Sequence, residues 1–160
     1  MESLSVLVLF IALSFAAAAV ARRCVRFAAD PWYESLAKPA WHPAPATFRR
    51  VWTVLYVLIG VSGWIVARQA AFMPLEPMAL FLLQLALNAA WPAVFFGLRR
   101  PGAALPVMAA LLAAAGATAW SFAQRSSIAA GLLVPYLAWL TAAAVLNVQV
   151  WRLNRDRRWD

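Results

Sequence analysis

The chain has 160 residues, 65% of them hydrophobic and 12% charged, against roughly 45–50% and 25% in an ordinary soluble domain. Its formal net charge of +8 would suggest nucleic acid in a soluble protein, but here the arginines stand at the ends of apolar runs, where they anchor helices and set topology. Nucleic acid is therefore not expected as a partner, there is no room for a separate catalytic domain, and the single Cys24 excludes an intrachain disulfide or a cysteine-built metal site.

A membrane-spanning helix needs about 20 mostly apolar residues. Charge-free runs of that kind occupy 4–21, 51–67, 78–98, 103–123 and 128–151. The expectation is an all-α fold, one membrane domain over 1–160 built as a five-helix transmembrane bundle. The first run resembles a signal peptide in its small residues at 17–21. However, a signal peptide begins with positive charge, and this chain begins Met1-Glu2-Ser3 and places Arg22, Arg23 and Arg26 after the run. It reads as a retained span.

The connection 22–50 is the most patterned polar stretch. Asp30 is placed to cap a short helix that Pro31 begins and Pro39 ends. Pro43 and Pro45 then hold an extended return to the second run. With Trp32, Tyr33 and Trp41 so close together, the loop is expected to fold over the bundle mouth as a lid; the alternative is a membrane-surface anchor. His42 is the only histidine. Lacking a second ligand and standing among prolines, it reads as a loop residue rather than a haem ligand, and no metal site is expected.

In the second run Trp52, Tyr56 and Gly63 share a stripe. In the third, Gln84, Asn88, Trp91 and Phe95 follow at i, i+4, i+7 and i+11, one face of a helix. Ala86, Ala89, Ala93 and Gly97 line the other face, the kind of small-residue surface that lets membrane helices approach. The first face is expected to line a pocket and the second to form a homodimer contact. The plainer alternative is that the amides glue helices together and the small residues are incidental. In the fifth run Tyr136, Trp139, Ala143 and Asn147 share a stripe. Pro92 and Pro135 are expected to loosen or kink their helices. Trp64, Trp120, Trp151 and Trp159 read as interfacial anchors.

Lysine and arginine counts differ sharply between alternate sides. The N-terminus and the second and fourth connections together hold two (Arg68, Arg125), whereas the first and third connections and the C-terminal tail hold twelve. The positive-inside rule then places the N-terminus outside, and the first loop and the C-terminus in the cytoplasm. No Asp, Glu, Lys or Arg lies within the five runs, which speaks against a proton-coupled exporter. No Ser/His/Asp set, carboxylate pair or phosphate-binding glycine loop is recognisable that would carry hydrolytic or phosphoryl chemistry.

Four linked motifs carry a resemblance: Trp32-Tyr33-x-x-Leu36-x-Lys38-Pro39-x-Trp41-x-Pro43; Val51-Trp52-Thr53-x-Leu55-Tyr56; Gln84-Leu85-x-Leu87-Asn88-x-x-Trp91-x-x-x-Phe95-Phe96-Gly97; and Pro135-Tyr136-Leu137-x-Trp139 with Leu146-Asn147. Together they resemble the tryptophan-rich sensory protein family, also called the TspO/translocator-protein or peripheral benzodiazepine receptor family. The resemblance implies a five-helix membrane fold, commonly dimeric, that binds porphyrins such as protoporphyrin IX as ligand rather than as tightly held cofactor. In animal members it extends to cholesterol and drug-like ligands. It places Tyr33, Trp41, Trp52, Asn88, Trp91, Phe95, Trp139 and Ala143 in the ligand pocket. Trp52 and Trp139 look equivalent to tryptophans implicated in light- and oxygen-dependent porphyrin breakdown.

This chain departs from the family in reading Pro43-Ala44 and Phe48-Arg49 where prolines are usual. It also has Val148 and Gln149 where the animal sterol motif has a tyrosine before Trp151-Arg152. The implied function is a porphyrin-binding sensor or regulator of tetrapyrrole metabolism in a membrane. The alternatives are a photo-oxidative enzyme and a transporter of porphyrin or lipid.

Overall fold

The computed structural model describes residues 2–24, 31–69 and 73–156. It contains α1 (Glu2–Cys24), α2 (Pro31–Ser35), α3 (Pro45–Ala67), α4 (Leu75–Pro92) continued by a π-helical turn (Ala93–Gly97), α5 (Ala104–Ala123) and α6 (Ser127–Asn154). The described residues contain no strand, and five of the helices are long and apolar enough to cross a membrane. The all-α five-helix bundle expected from the sequence is the fold observed. Asp30 and Trp159, the expected cap and anchor, lie outside the described residues.

The helices close into a ring in the order α1, α3, α6, α5, α4 and back to α1. Two glycines of α3 set how closely α1 approaches. A Cβ on Gly60 would stand 2.9 Å from the Ile11 Cα, and one on Gly63 would stand 2.5 Å from Phe10 Cδ1. Gly63 therefore serves helix packing, although it shares a stripe with Trp52 and Tyr56. Below this contact Phe10 meets Phe81 edge-on at 5.1 Å, and Phe81 stacks on Phe122 at 6.3 Å. Val8, Val54, Leu83, Trp120 and Val134 face outward, a continuous apolar exterior that suits lipid and would be a liability in water.

Helix α3 begins six residues before its apolar run. Pro45 in the first turn has a φ already suited to a helix, so Phe48 is carried one turn above Trp52. Helix α2 stops at Ser35, short of Pro39. The Lys38 ammonium donates to the carbonyls of Tyr33 (2.6 Å), Glu34 (3.2 Å) and Leu36 (3.0 Å), which satisfies acceptors that further helix would otherwise use. After Pro92, which lacks an N–H, the chain widens into the π-helical turn, where Leu98 N–H donates to the Ala93 carbonyl at 2.9 Å. Pro135, by contrast, lies on the exposed side of α6, which runs unbroken from Ser127 to Asn154. Arg99 then turns the chain in the left-handed region at φ 53°. At the far end of the bundle Arg68 covers the Trp64 ring at 4.9 Å, and Arg125 pairs with Glu76 at 3.6 Å.

Candidate functional site

The first loop packs across the bundle end formed by the C-terminus of α6 and the π-helical turn. The Trp32 ring meets Phe95 at 6.3 Å and Tyr33 meets Phe96 at 5.4 Å. Asn154, on the last turn of α6, accepts from Ala37 N–H at 3.0 Å and donates to the Ala37 carbonyl at 2.9 Å. Trp41 Nε1 donates to Gln149 Oε1 at 3.1 Å. Lys38 also covers the Tyr33 ring at 4.7 Å. Burial pushes the Tyr33 hydroxyl above its ordinary range. It also holds Lys38 below the usual lysine range, with the Glu34 carboxylate pulling the other way.

Under this loop lies a cavity of about 70 Å³. Tyr33, His42 and Pro43 come from the loop, Pro45 and Phe48 from α3, and Trp91, Phe95 and Phe96 from α4 and its π-helical turn. Ala143, Leu146, Asn147 and Val150 come from α6. The walls are almost wholly apolar and aromatic, as ligand pockets generally are, but such pockets measure roughly 300–1,000 Å³. The space is closed down: a large flat ligand fits only if the loop and Phe48 move aside.

Four of the residues expected in the pocket, Tyr33, Trp91, Phe95 and Ala143, line this cavity. The other four do not. Trp41 is 48% exposed, its indole spent on Gln149 outside the mouth. Trp52 and Trp139 stand behind Phe48, with ring centroids 6.0 and 6.4 Å from it. Both indole N–H groups are buried without a hydrogen-bond partner.

Asn88 lies deeper, inside a polar chain. Tyr56 Oη donates to Asn88 Oδ1 (2.6 Å), Asn88 Nδ2 donates to Tyr136 Oη (3.0 Å), and Tyr136 Oη donates to Gln84 Oε1 (2.8 Å). Trp91 Nε1 donates to Asn147 Oδ1 at 2.9 Å, and Asn147 Nδ2 donates to the Pro101 carbonyl at 2.8 Å. The plainer reading of the amides, as bonds between helices, describes Asn88 and Asn147. Helical spacing identified the inward face but not depth along it.

Sequence reasoning set His42 aside as a loop residue and did not place Phe48, Phe96, Leu146 or Val150 in the pocket, yet all five line the cavity. Signals for two of them were present: Phe48 is one turn ahead of Trp52, and Val150 continues the Ala143–Asn147 stripe. Ala86 and Gly97 are exposed and Ala89 and Ala93 half-buried, so the small-residue face of the third span lies on the outside of the bundle.

Five apolar helices in a closed ring, with an aromatic loop over one end, make this a multi-pass integral membrane protein. The TspO/MBR family profile matches residues 6–152, and the chain belongs to that family. It is 44% identical over 130 residues to the translocator protein of Sus scrofa, covering 79% of this chain and 77% of that one. It is 40% identical over 128 residues to the tryptophan-rich sensory protein of Cereibacter sphaeroides, covering 80% of each. Protein CrtK of Rhodobacter capsulatus is 35% identical over 130 residues, covering 80% of this chain and 81% of that one.

Proposed function

We propose that the chain binds porphyrins of the protoporphyrin IX type and similar flat hydrophobic ligands, and acts as a membrane sensor or regulator of tetrapyrrole metabolism. The observation that carries this reading is the pair of unpartnered indole donors, Trp52 and Trp139, both packed against Phe48, which lines the cavity. An unsatisfied buried donor costs about 1–3 kcal/mol, a cost that a ligand with acceptors removes. A porphyrin has imine-type nitrogens at its centre and carboxylates at its edge. Its apolar faces suit Trp91, Phe95 and Phe96, and its carboxylates suit the arginines at the start of α3, Arg49 and Arg50.

In this reading the loop is a lid that opens to admit the ligand. The lid end faces the cytoplasm, as the distribution of basic residues favours, and the outward small-residue face of α4 meets a second copy of the chain in the membrane. One observation favours a second reading, light- and oxygen-dependent breakdown of the bound porphyrin. Both indoles pack against the same ring, so a ligand displacing Phe48 lies beside two oxidisable side chains.

The test is a titration in nanodiscs, in the dark, of wild-type protein and of Trp52→Phe and Trp139→Phe with protoporphyrin IX, following tryptophan fluorescence. Saturable quenching weakened by either substitution supports the reading. Linear quenching alike in all three means partitioning into lipid and overturns it.

A further inference from the structure

Asn147 belongs at once to the cavity wall and to the hold on the connection between α4 and α5. It is 1% exposed and lines the cavity beside Trp91. Its Oδ1 accepts from Trp91 Nε1 at 2.9 Å, while its Nδ2 donates to the Pro101 carbonyl at 2.8 Å. One turn further along α6, Trp151 closes over Gly102, where a Cβ would stand 2.8 Å from the indole Nε1. Residues four apart share a helix face, so one face of α6 holds two consecutive residues of the connection. Of the two holding side chains, Asn147 is the one that lines the cavity.

The backbone held in this way is in a conformation that needs holding. Arg99 has φ 53°, a region that residues with a side chain seldom occupy unless neighbouring contacts impose it. Leu98 N–H reaches back to the Ala93 carbonyl at 2.9 Å, and Arg100 N–H donates to the Val94 carbonyl at 3.2 Å. In an ordinary α-helical register the Val94 carbonyl would accept from Leu98 instead. A second arrangement thus lies one hydrogen-bond exchange away from the π-helical turn: Leu98 donates to Val94, Arg100 gives up that carbonyl and Arg99 returns to negative φ.

Resting on the pocket reading above, we propose that the connection 98–103 is the read-out of the cavity, with Asn147 as the link between them. The closed cavity of about 70 Å³ has no room for a large flat ligand, so occupancy moves its walls, and Trp91 is the largest side chain among them. When Trp91 turns with the ligand, Asn147 loses one of the two bonds that fix its amide, and an acceptor on the ligand competes with the Pro101 carbonyl for Nδ2. Released from Pro101, the π-helical turn rewinds to the α-helical register. The ligand favours the rewound turn because it binds that arrangement better, which is the condition for a population shift. Arg99 and Arg100, both exposed, are re-aimed as the turn rewinds. Occupancy inside the bundle thereby changes the shape of a basic surface at its lid end.

The experiment follows hydrogen–deuterium exchange by mass spectrometry on nanodisc-embedded protein, with and without protoporphyrin IX in the dark, alongside tryptophan quenching. In the wild type, saturating porphyrin should speed exchange across 98–104, which holds the bonded amides of Leu98, Arg100 and Ala104. A rise of about fivefold is expected, the scale set by losing one net hydrogen bond. Amides 124–126 at the opposite bundle end should be unchanged, which separates local release from general loosening. Asn147→Leu, which cannot hold Pro101, should show the faster exchange without ligand and no further rise with it. Saturable quenching with unchanged or slower exchange at 98–104 in the wild type overturns the coupling and leaves the pocket standing. Wild-type exchange at 98–104 in ligand-free Asn147→Leu likewise overturns it. Quenching that never saturates overturns the pocket and the coupling together. The wild-type comparison decides the matter even if the variant does not fold.

Discussion

Asn154 holds Ala37 from both sides, its Oδ1 accepting from the Ala37 N–H at 3.0 Å and its Nδ2 donating to the Ala37 carbonyl at 2.9 Å. The pairing joins the middle of the first loop to a helix end 117 residues later, and Asn154 is only 4% exposed. A third bond, from Nδ2 to the Val150 carbonyl at 2.8 Å, fixes the side chain against its own helix.

Replacing Asn154 with Leu keeps the branched shape of the side chain and removes both bonds to the loop. Each such bond is worth about 1 kcal/mol net, so the closed loop should lose about 1–2 kcal/mol against the open one. Stopped-flow quenching with protoporphyrin IX should show release about 5- to 30-fold faster in the variant. Release at the wild-type rate would mean that Asn154 does not hold the lid.

Trp52→Phe and Trp139→Phe each remove a buried N–H that has no partner in the ligand-free protein. Packing lost on shrinking the ring is offset by relief of the unsatisfied donor. The ligand-free melting temperature should therefore stay close to that of wild type while porphyrin affinity falls. A large fall in melting temperature with affinity intact would make both tryptophans structural.

Tyr136→Phe should behave in the opposite way. The hydroxyl accepts from Asn88 and donates to Gln84, and removing it leaves an amide donor and an amide oxygen unpaired between three helices. A loss of about 1–2 kcal/mol is expected, because interhelical hydrogen bonds in membranes are individually modest. Thermal unfolding in detergent should register this loss while porphyrin affinity barely changes.

Four glycines provide an internal comparison. Alanine at Gly60 or Gly63 would drive a methyl into Ile11 or Phe10 of α1, whereas a Cβ at Gly116 or Gly131 meets nothing within 4 Å. Gly60→Ala should lower the melting temperature by separating α1 from α3. Gly116→Ala and Gly131→Ala should leave it unchanged or raise it, since alanine is favoured over glycine in a helix by about 1 kcal/mol. Equal effects at all four positions would contradict the close approach of α1.

The helices were legible in the sequence because lipid demands long uncharged runs, and the ring's inward faces were legible in the stripes Gln84–Asn88–Trp91–Phe95 and Tyr136–Ala143–Asn147. What the sequence did not reveal was pairing. Nothing local to Asn88 says that Tyr56 and Tyr136 satisfy it, and nothing local to Trp41 says that its indole turns outward to Gln149. The place of His42 on the cavity wall depends on the loop's docking against α6, a contact more than a hundred residues away in the chain. Phe48 was overlooked because α3 was taken to begin where the charges end, whereas Pro45 starts it earlier.

The most direct test of the porphyrin reading is to fill the cavity from its floor. Ala143→Leu adds bulk between Trp91, Phe95 and the lid, where Ala143 is already buried. Protoporphyrin IX should then give only linear, non-saturating quenching of tryptophan fluorescence in the dark, with the helical circular dichroism of the wild type preserved. Saturable quenching at the wild-type midpoint would place the porphyrin somewhere other than beneath the lid.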